Sequence, residues 1–86
     1  MIAQKAAGLE QELANVIAGV IGRDPAELKP EVNFWKDLGV DSIKAIEITV
    51  AIERNFKISV RDEQIPQIAT FGDALKMLKA ALEKKR

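Results

Sequence analysis

Apolar positions in the first part of the chain recur at helical intervals. Leu9, Leu13, Val16, Ile17 and Val20 are separated by 4, 3, 1 and 3 positions, which places them on one face of a helix of about 3.6 residues per turn. The pattern predicts a helix from about Ile2 to Ile21, stopped at Gly22. In Asp24-Pro25-Ala26-Glu27, Asp24 suits an N-cap, Pro25 the first helical position and Glu27 the reciprocal partner of the cap. One or two turns of helix are expected there, ending before Pro30. Residues 29–41 form a long connection. Its Phe34, Trp35 and Leu38 are expected to pin it to the core, and Gly39 to supply a positive φ where it turns.

A second strong helix is predicted from Ser42 to about Asn55. On a wheel of about 100° per residue, Ala45, Ile48 and Ile52 share one face, and Ile43, Ile46 and Val50 share the nearly opposite one. An ordinary surface helix has a single apolar face. Full burial is hard to arrange with so few neighbours, which leaves chance exposure of isoleucines or a docking strip. Lys57-Ile58-Ser59-Val60-Arg61 alternates like a strand but has no strand to pair with. It reads as a loop that drops Ile58 or Val60 into the core. A short helix is expected over Asp62–Ile68, limited by Pro66. Thr70 and Asp73 then form a cap pair that opens a last helix with Leu75, Leu78 and Leu82 on one face and Lys79, Lys84, Lys85 and Arg86 toward its end. The expected fold is all-α: a bundle of four helices, three longer and a short third one, in a single domain spanning residues 1–86. Ala45, Ile48 and Ile52 should face a core built with Leu13, Val16, Ile65, Ile68, Leu75 and Leu78.

Composition removes whole classes of chemistry. The chain has 86 residues, 48% of them hydrophobic, with 13 basic and 13 acidic side chains and no Cys, His or Tyr. Without Cys or His there is no thiolate or imidazole metal site, no cysteine nucleophile and no imidazole base for a triad, so no metal is expected. A neutral chain lacks the basic surplus that nucleic acid requires. No apolar run is long enough to cross a membrane, and the start of the chain lacks a secretion signal. A cytoplasmic monomer is the expectation. Asp37 and Glu47 have no evident partner or pocket for acid–base work, so the chain is not expected to be an enzyme.

Ser42 has no nearby base and is a poor nucleophile by itself. It is a possible helix cap, a role Asp41 fills equally well. The stretch Asp37-Leu38-Gly39-Val40-Asp41-Ser42-Ile43-Lys44-Ala45-Ile46-Glu47-Ile48 resembles the signature of acyl carrier proteins, in which a D-L-G-x-D-S-[LI] run opens the second helix. The likeness extends along most of the chain: helix, glycine break, long loop with Phe34, D-S helix, Phe56, extended piece, short helix and threonine cap follow in family order.

The resemblance implies a carrier. Ser42 would bear covalent 4′-phosphopantetheine, transferred from coenzyme A by a phosphopantetheinyl transferase, and the arm's thiol would hold acyl groups as thioesters. Tethering then replaces diffusion by a high effective concentration. Asp41, Ile43, Ile46, Glu47 and Val50 would meet partners: the transferase, and ketosynthases, acyltransferases or other acyl-processing enzymes. Ala45, Ile48, Thr49, Ile52, Ile65 and Ile68 are the candidate lining of an acyl pocket.

Two departures qualify the likeness. Fatty-acid carriers of the family are strongly acidic, whereas here residues 41–63 hold five acids (Asp41, Glu47, Glu53, Asp62, Glu63) and four bases (Lys44, Arg54, Lys57, Arg61), a net of −1. A dedicated partner set in a specialised lipid or polyketide pathway is therefore expected. Pro66 is the second departure. A peptidyl or aminoacyl carrier, and a helical adaptor without the prosthetic group, are the alternatives.

Overall fold

In the computed structural model the described residues are 2–84, with side chains from Gly8 onward, Asp62 excepted. Lys85 and Arg86 of the expected terminal basic cluster lie outside them. The first helix, α1 (Ile2–Ile21), has 20 residues and so a length of about 30 Å, close to the molecule's longest dimension of 34 Å. It stops where Gly22 takes φ +71; the Gly22 and Arg23 N–H groups then both donate to the Ala18 carbonyl, at 2.8 and 3.0 Å. The Asp24 carboxylate accepts from Ala26 N–H at 2.9 Å, and the Glu27 carboxylate from Asp24 N–H at 3.4 Å. These bonds close a single 3-10 turn, Pro25–Glu27.

The long loop is fastened at both ends. The Asn33 side-chain oxygen accepts from Trp35 N–H and Lys36 N–H, at 2.9 and 2.8 Å, and Asp37 accepts from Asn33 N–H at 2.8 Å. Phe34 N–H donates to Ala69 O at 2.8 Å, Phe71 N–H to Val32 O at 3.0 Å and Gly72 N–H to Pro30 O at 2.9 Å. One antiparallel bridge, Asn33 with Thr70, results. A Cβ on Gly72 would stand 3.0 Å from the Pro30 oxygen, a tight approach that a side chain could take only by pushing the Pro30 backbone back a few tenths of an ångström. Phe34 is buried and Leu38 half-buried against the core. Trp35 departs from expectation: it is 37% exposed, because its neighbour Phe34 occupies the inward place.

The second helix, α2 (Ser42–Phe56), ends at Lys57 in the left-handed conformation, φ 55. The Glu53 carboxylate then accepts from Val60 N–H at 2.8 Å, which folds the following loop back and buries Val60, while Ile58 packs half-buried on the core. The expected short third helix is corrected. Asp62–Gln67 is a 3-10 turn, so the described residues form three α-helices and two 3-10 turns rather than four α-helices. Pro66 is the physical reason: it has no N–H to give, and in an α-helix its ring would collide with the carbonyl four residues earlier.

The last helix, α3 (Phe71–Lys84), opens on a reciprocal cap. Asp73 accepts from Ala69 N–H and Thr70 N–H, both at 3.1 Å, and Asp73 N–H donates to the Thr70 hydroxyl at 3.1 Å. Those two backbone donors, Ala69 first, hold the Asp73 carboxyl below its ordinary pKa. The core joins Leu13 and Ile17 of α1, Ala45, Ile48 and Ile52 of α2, and Phe71, Ala74 and Leu78 of α3, with Leu28, Phe34 and Val40 from the connections. Val16, Ile65, Ile68 and Leu75 pack half-buried around it.

Candidate functional site at the start of α2

The site begins with the turn that delivers the chain to α2. Gly39 has φ +64, which an L side chain rarely tolerates. Val40 N–H donates to Phe34 O at 2.9 Å, and the Val40 side chain is buried. Asp41 is thereby set in extended geometry, φ −103 and ψ −177, and caps the helix. Its carboxylate accepts from Lys44 N–H at 2.8 Å, and its carbonyl accepts from Ala45 N–H at 2.9 Å. Sequence left the cap open between Asp41 and Ser42; geometry gives it to Asp41.

Ser42 is consequently the first helical residue, exposed and released from the capping role. The Ser42 and Ile43 N–H groups precede the first helical bond, so the positive end of the α2 dipole lies beside the hydroxyl. A phosphodiester on that oxygen would meet both favourably. An exposed primary alcohol, a helix N-terminus and a neighbouring carboxylate already engaged fit a covalently attached phosphate ester.

Along the outward face of α2, Ile43, Ile46 and Val50 are 69%, 54% and 40% exposed. The charges beside them are held locally. Glu47 pairs with Lys44 at 3.2 Å, Asp41 holds the cap, and Glu53 holds Val60. Arg54 is exposed.

All six residues singled out for an acyl pocket, Ala45, Ile48, Thr49, Ile52, Ile65 and Ile68, surround one small cavity of about 30 Å³ under α2. Phe34, Trp35, Val40, Ala74 and Met77 complete its wall and were missed in sequence. The loop residues come in through backbone bonds that leave no sequence signature; the inward phase of Ala74 with Leu78 on α3 was the readable clue. A larger open groove of about 660 Å³ runs beside Ser42 between α2 and the Asp62–Gln67 turn, reaching Val60 and Pro66. Among the described residues no cluster of acidic side chains suits a metal ion, and no helix is long and apolar enough to cross a membrane.

Comparison with known proteins identifies the family. The sequence model of the family described as "Phosphopantetheine attachment site" matches residues 11–78. The acyl carrier protein of Helicobacter pylori strain J99 is 39% identical over 70 residues, 81% of this chain and 90% of that protein. Among solved structures, the apo doublet acyl carrier protein from prodigiosin biosynthesis superposes with a TM-score of 0.75 at 32% identity, over 86% of this chain. The chain spans only 36% of that doublet's length. On the family match and the extent of the H. pylori alignment, the chain belongs to the acyl carrier protein family, whose covalent prosthetic group is 4′-phosphopantetheine.

Proposed function

We propose that this chain carries acyl groups for partner enzymes on a 4′-phosphopantetheine arm attached to the Ser42 hydroxyl. The observation that carries the reading is the division of labour at residues 41 and 42: Asp41 caps α2, so the Ser42 oxygen is presented at the surface. When bound, the arm supplies the thiol that this cysteine-free chain lacks, and acyl groups are held on it as thioesters. The residues of the chain do the rest. Gly39 and Val40 aim the turn, the first α2 amides favour the phosphodiester, and Ile43, Ile46 and Val50 offer partners an apolar strip, with Asp41 and Glu47 at its edge. The partner classes are a phosphopantetheinyl transferase and acyl-processing enzymes such as a ketosynthase or acyltransferase.

Charge supports a dedicated route over a general fatty-acid one. Over residues 41–56 three acids (Asp41, Glu47, Glu53) stand against two bases (Lys44, Arg54), a net of −1, and the exposed Arg54 lies on the helix face that carries the strip. Such a surface steers weakly toward strongly basic partners. A specialised lipid or polyketide pathway suits it, and the likeness to a carrier from prodigiosin biosynthesis points the same way.

Co-expression with a phosphopantetheinyl transferase followed by intact mass tests the attachment. The wild type is expected to gain the mass of one arm, and Ser42→Ala none. An unmodified wild type overturns the assignment and leaves a helical adaptor; a modified Ser42→Ala overturns Ser42 as the attachment point.

A further inference from the structure

The small inner cavity and the open groove beside Ser42 share four lining side chains: Trp35, Ala45, Thr49 and Ile65. These four side chains border both spaces. Three of them are restrained. Ala45 has no rotamer to change. The Thr49 hydroxyl donates to the Ala45 carbonyl at 2.8 Å, which sets its single branched torsion. Ile65 is packed half-buried against the core.

Trp35 differs in kind. Its backbone is tied, with its own N–H held by Asn33 at 2.9 Å and the neighbouring Phe34 N–H held by Ala69 at 2.8 Å. Trp35 is 37% exposed as a residue and is not part of the packed core cluster. A fixed backbone with a loosely covered side chain leaves rotation of the indole as the available motion. The indole is also the largest of the four groups, so its displacement opens the most space.

The volumes say what that motion would govern. An inner cavity of about 30 Å³ has room for two or three waters, at roughly 10–15 Å³ each, and falls well short of the roughly 150 Å³ that takes a benzene. The outer groove, about 660 Å³, lies within the range of roughly 300–1,000 Å³ typical of ligand sites.

We infer that Trp35 is the movable partition that sets how much of an acyl chain this protein shelters. Short chains lie in the outer groove beside Ser42, and longer chains enter the core by displacing the indole. The inference rests on attachment at Ser42 and makes Trp35 a specificity-determining residue that acts through its shape.

Trp35 is the chain's single tryptophan, and the chain has no tyrosine, so intrinsic fluorescence reports this residue. Ser42 would be loaded with pantetheine arms bearing no acyl group, acetyl, hexanoyl or decanoyl, with each product checked by intact mass. Trp35 emission is expected to stay constant through acetyl and to shift to the red at decanoyl, with greater quenching by acrylamide, as the indole turns into water. In Trp35→Ala the gain in Tm on acylation is expected to begin at a shorter chain than in the wild type, while Trp35→Phe keeps the wild-type threshold. Identical emission and quenching across all four wild-type forms overturns the inference even if Trp35→Ala does not fold. So does a Trp35→Ala curve of Tm against chain length that superposes on the wild type. Failure of attachment is visible in the mass before any chains are compared; it removes the Ser42 reading and this inference with it.

Discussion

The two apolar faces of α2 meet opposite fates. Ala45, Ile48 and Ile52 are between 3% and 8% exposed, whereas Ile43, Ile46 and Val50 are between 40% and 69% exposed. Both sets are aliphatic and lie on the same turns of one helix, so hydrophobicity alone does not assign them. Phase relative to the rest of the core does: the inward set meets Leu13 and Ile17 of α1 and Leu78 of α3 in one cluster. The core is closed without the outward set. Those side chains are surplus to folding, and their retention at the surface is the physical case for a surface that meets partners.

The largest expected effect lies on the inward face. Ile52→Ala should cost about 2–5 kcal/mol, a large fraction of the roughly 4–13 kcal/mol a domain of this size holds, and urea unfolding should show it. Ile46→Ala, on the same helix, should change stability by no more than about 0.5 kcal/mol. Equal costs would break the distinction between the faces. In function the order reverses. Ile46→Ala should lower kcat/KM for arm transfer or acyl transfer by roughly tenfold, about 1.4 kcal/mol, as truncation of a central docking residue does.

Much of this division was readable from residue spacing, because an amphipathic phase is a local property. Ala45, Ile48 and Ile52 on one side and Ile43, Ile46 and Val50 on the other follow from the wheel alone. What was not readable is non-local or depends on competing local options. Phe34 N–H to Ala69 O joins two backbone groups, and backbone groups carry no side-chain label. Trp35 and Phe34 are both large and apolar; which of them turns inward is decided by that same bond and by Asn33. Asp41 and Ser42 are equally good caps in sequence, and the turn at Gly39 and Val40 decides between them. Pro66 was recognised as a limit on a short helix, but its effect was to convert the whole segment into a 3-10 turn.

The cap choice sharpens the comparison at the point where both faces begin. Asp41→Ala should cost about 1 kcal/mol and leave the first α2 amides to recruit the Ser42 hydroxyl, so arm transfer should slow as well. Asp41→Asn keeps a good cap and should preserve stability. If the transferase reads the Asp41 charge, transfer to Asp41→Asn should still slow. Thermal unfolding and mass-resolved loading rates on the same two variants separate these roles.

A smaller effect distinguishes the faces by pH. The Asp73 carboxyl is held below its ordinary value by the Ala69 and Thr70 N–H groups, and it caps the helix that supports the inward face. A carboxylate with a depressed folded pKa contributes stability that is fully present above its unfolded pKa of about 4 and is lost as pH falls through the lower folded value. Tm should therefore drop on acidification below about pH 4, and the drop should be shallower in Asp73→Asn. A wild type and variant with parallel acid profiles would remove Asp73 from the account.

The smallest expected effect is a near-absence of salt dependence at the outward face. Encounter rates respond to ionic strength in proportion to the charge that two surfaces present to each other. Lys44 offsets Glu47 in a 3.2 Å pair, Arg54 stands next to Glu53 in the chain, and residues 41–56 keep a net charge of only −1. Ile43, Ile46 and Val50 contribute contact area without charge. Loading by a transferase with a basic docking surface should accordingly have a kcat/KM that changes little as salt is raised. Lys44→Glu removes one positive charge, adds one negative charge and releases Glu47 from its pair, while Lys44 N–H continues to serve the Asp41 cap. That variant should load faster at low salt and lose the advantage at high salt, with the folded state otherwise kept. A wild type whose loading already falls steeply with salt would show that the pairings on α2 do not neutralise its face, and that the outward strip works by charge as much as by apolar contact.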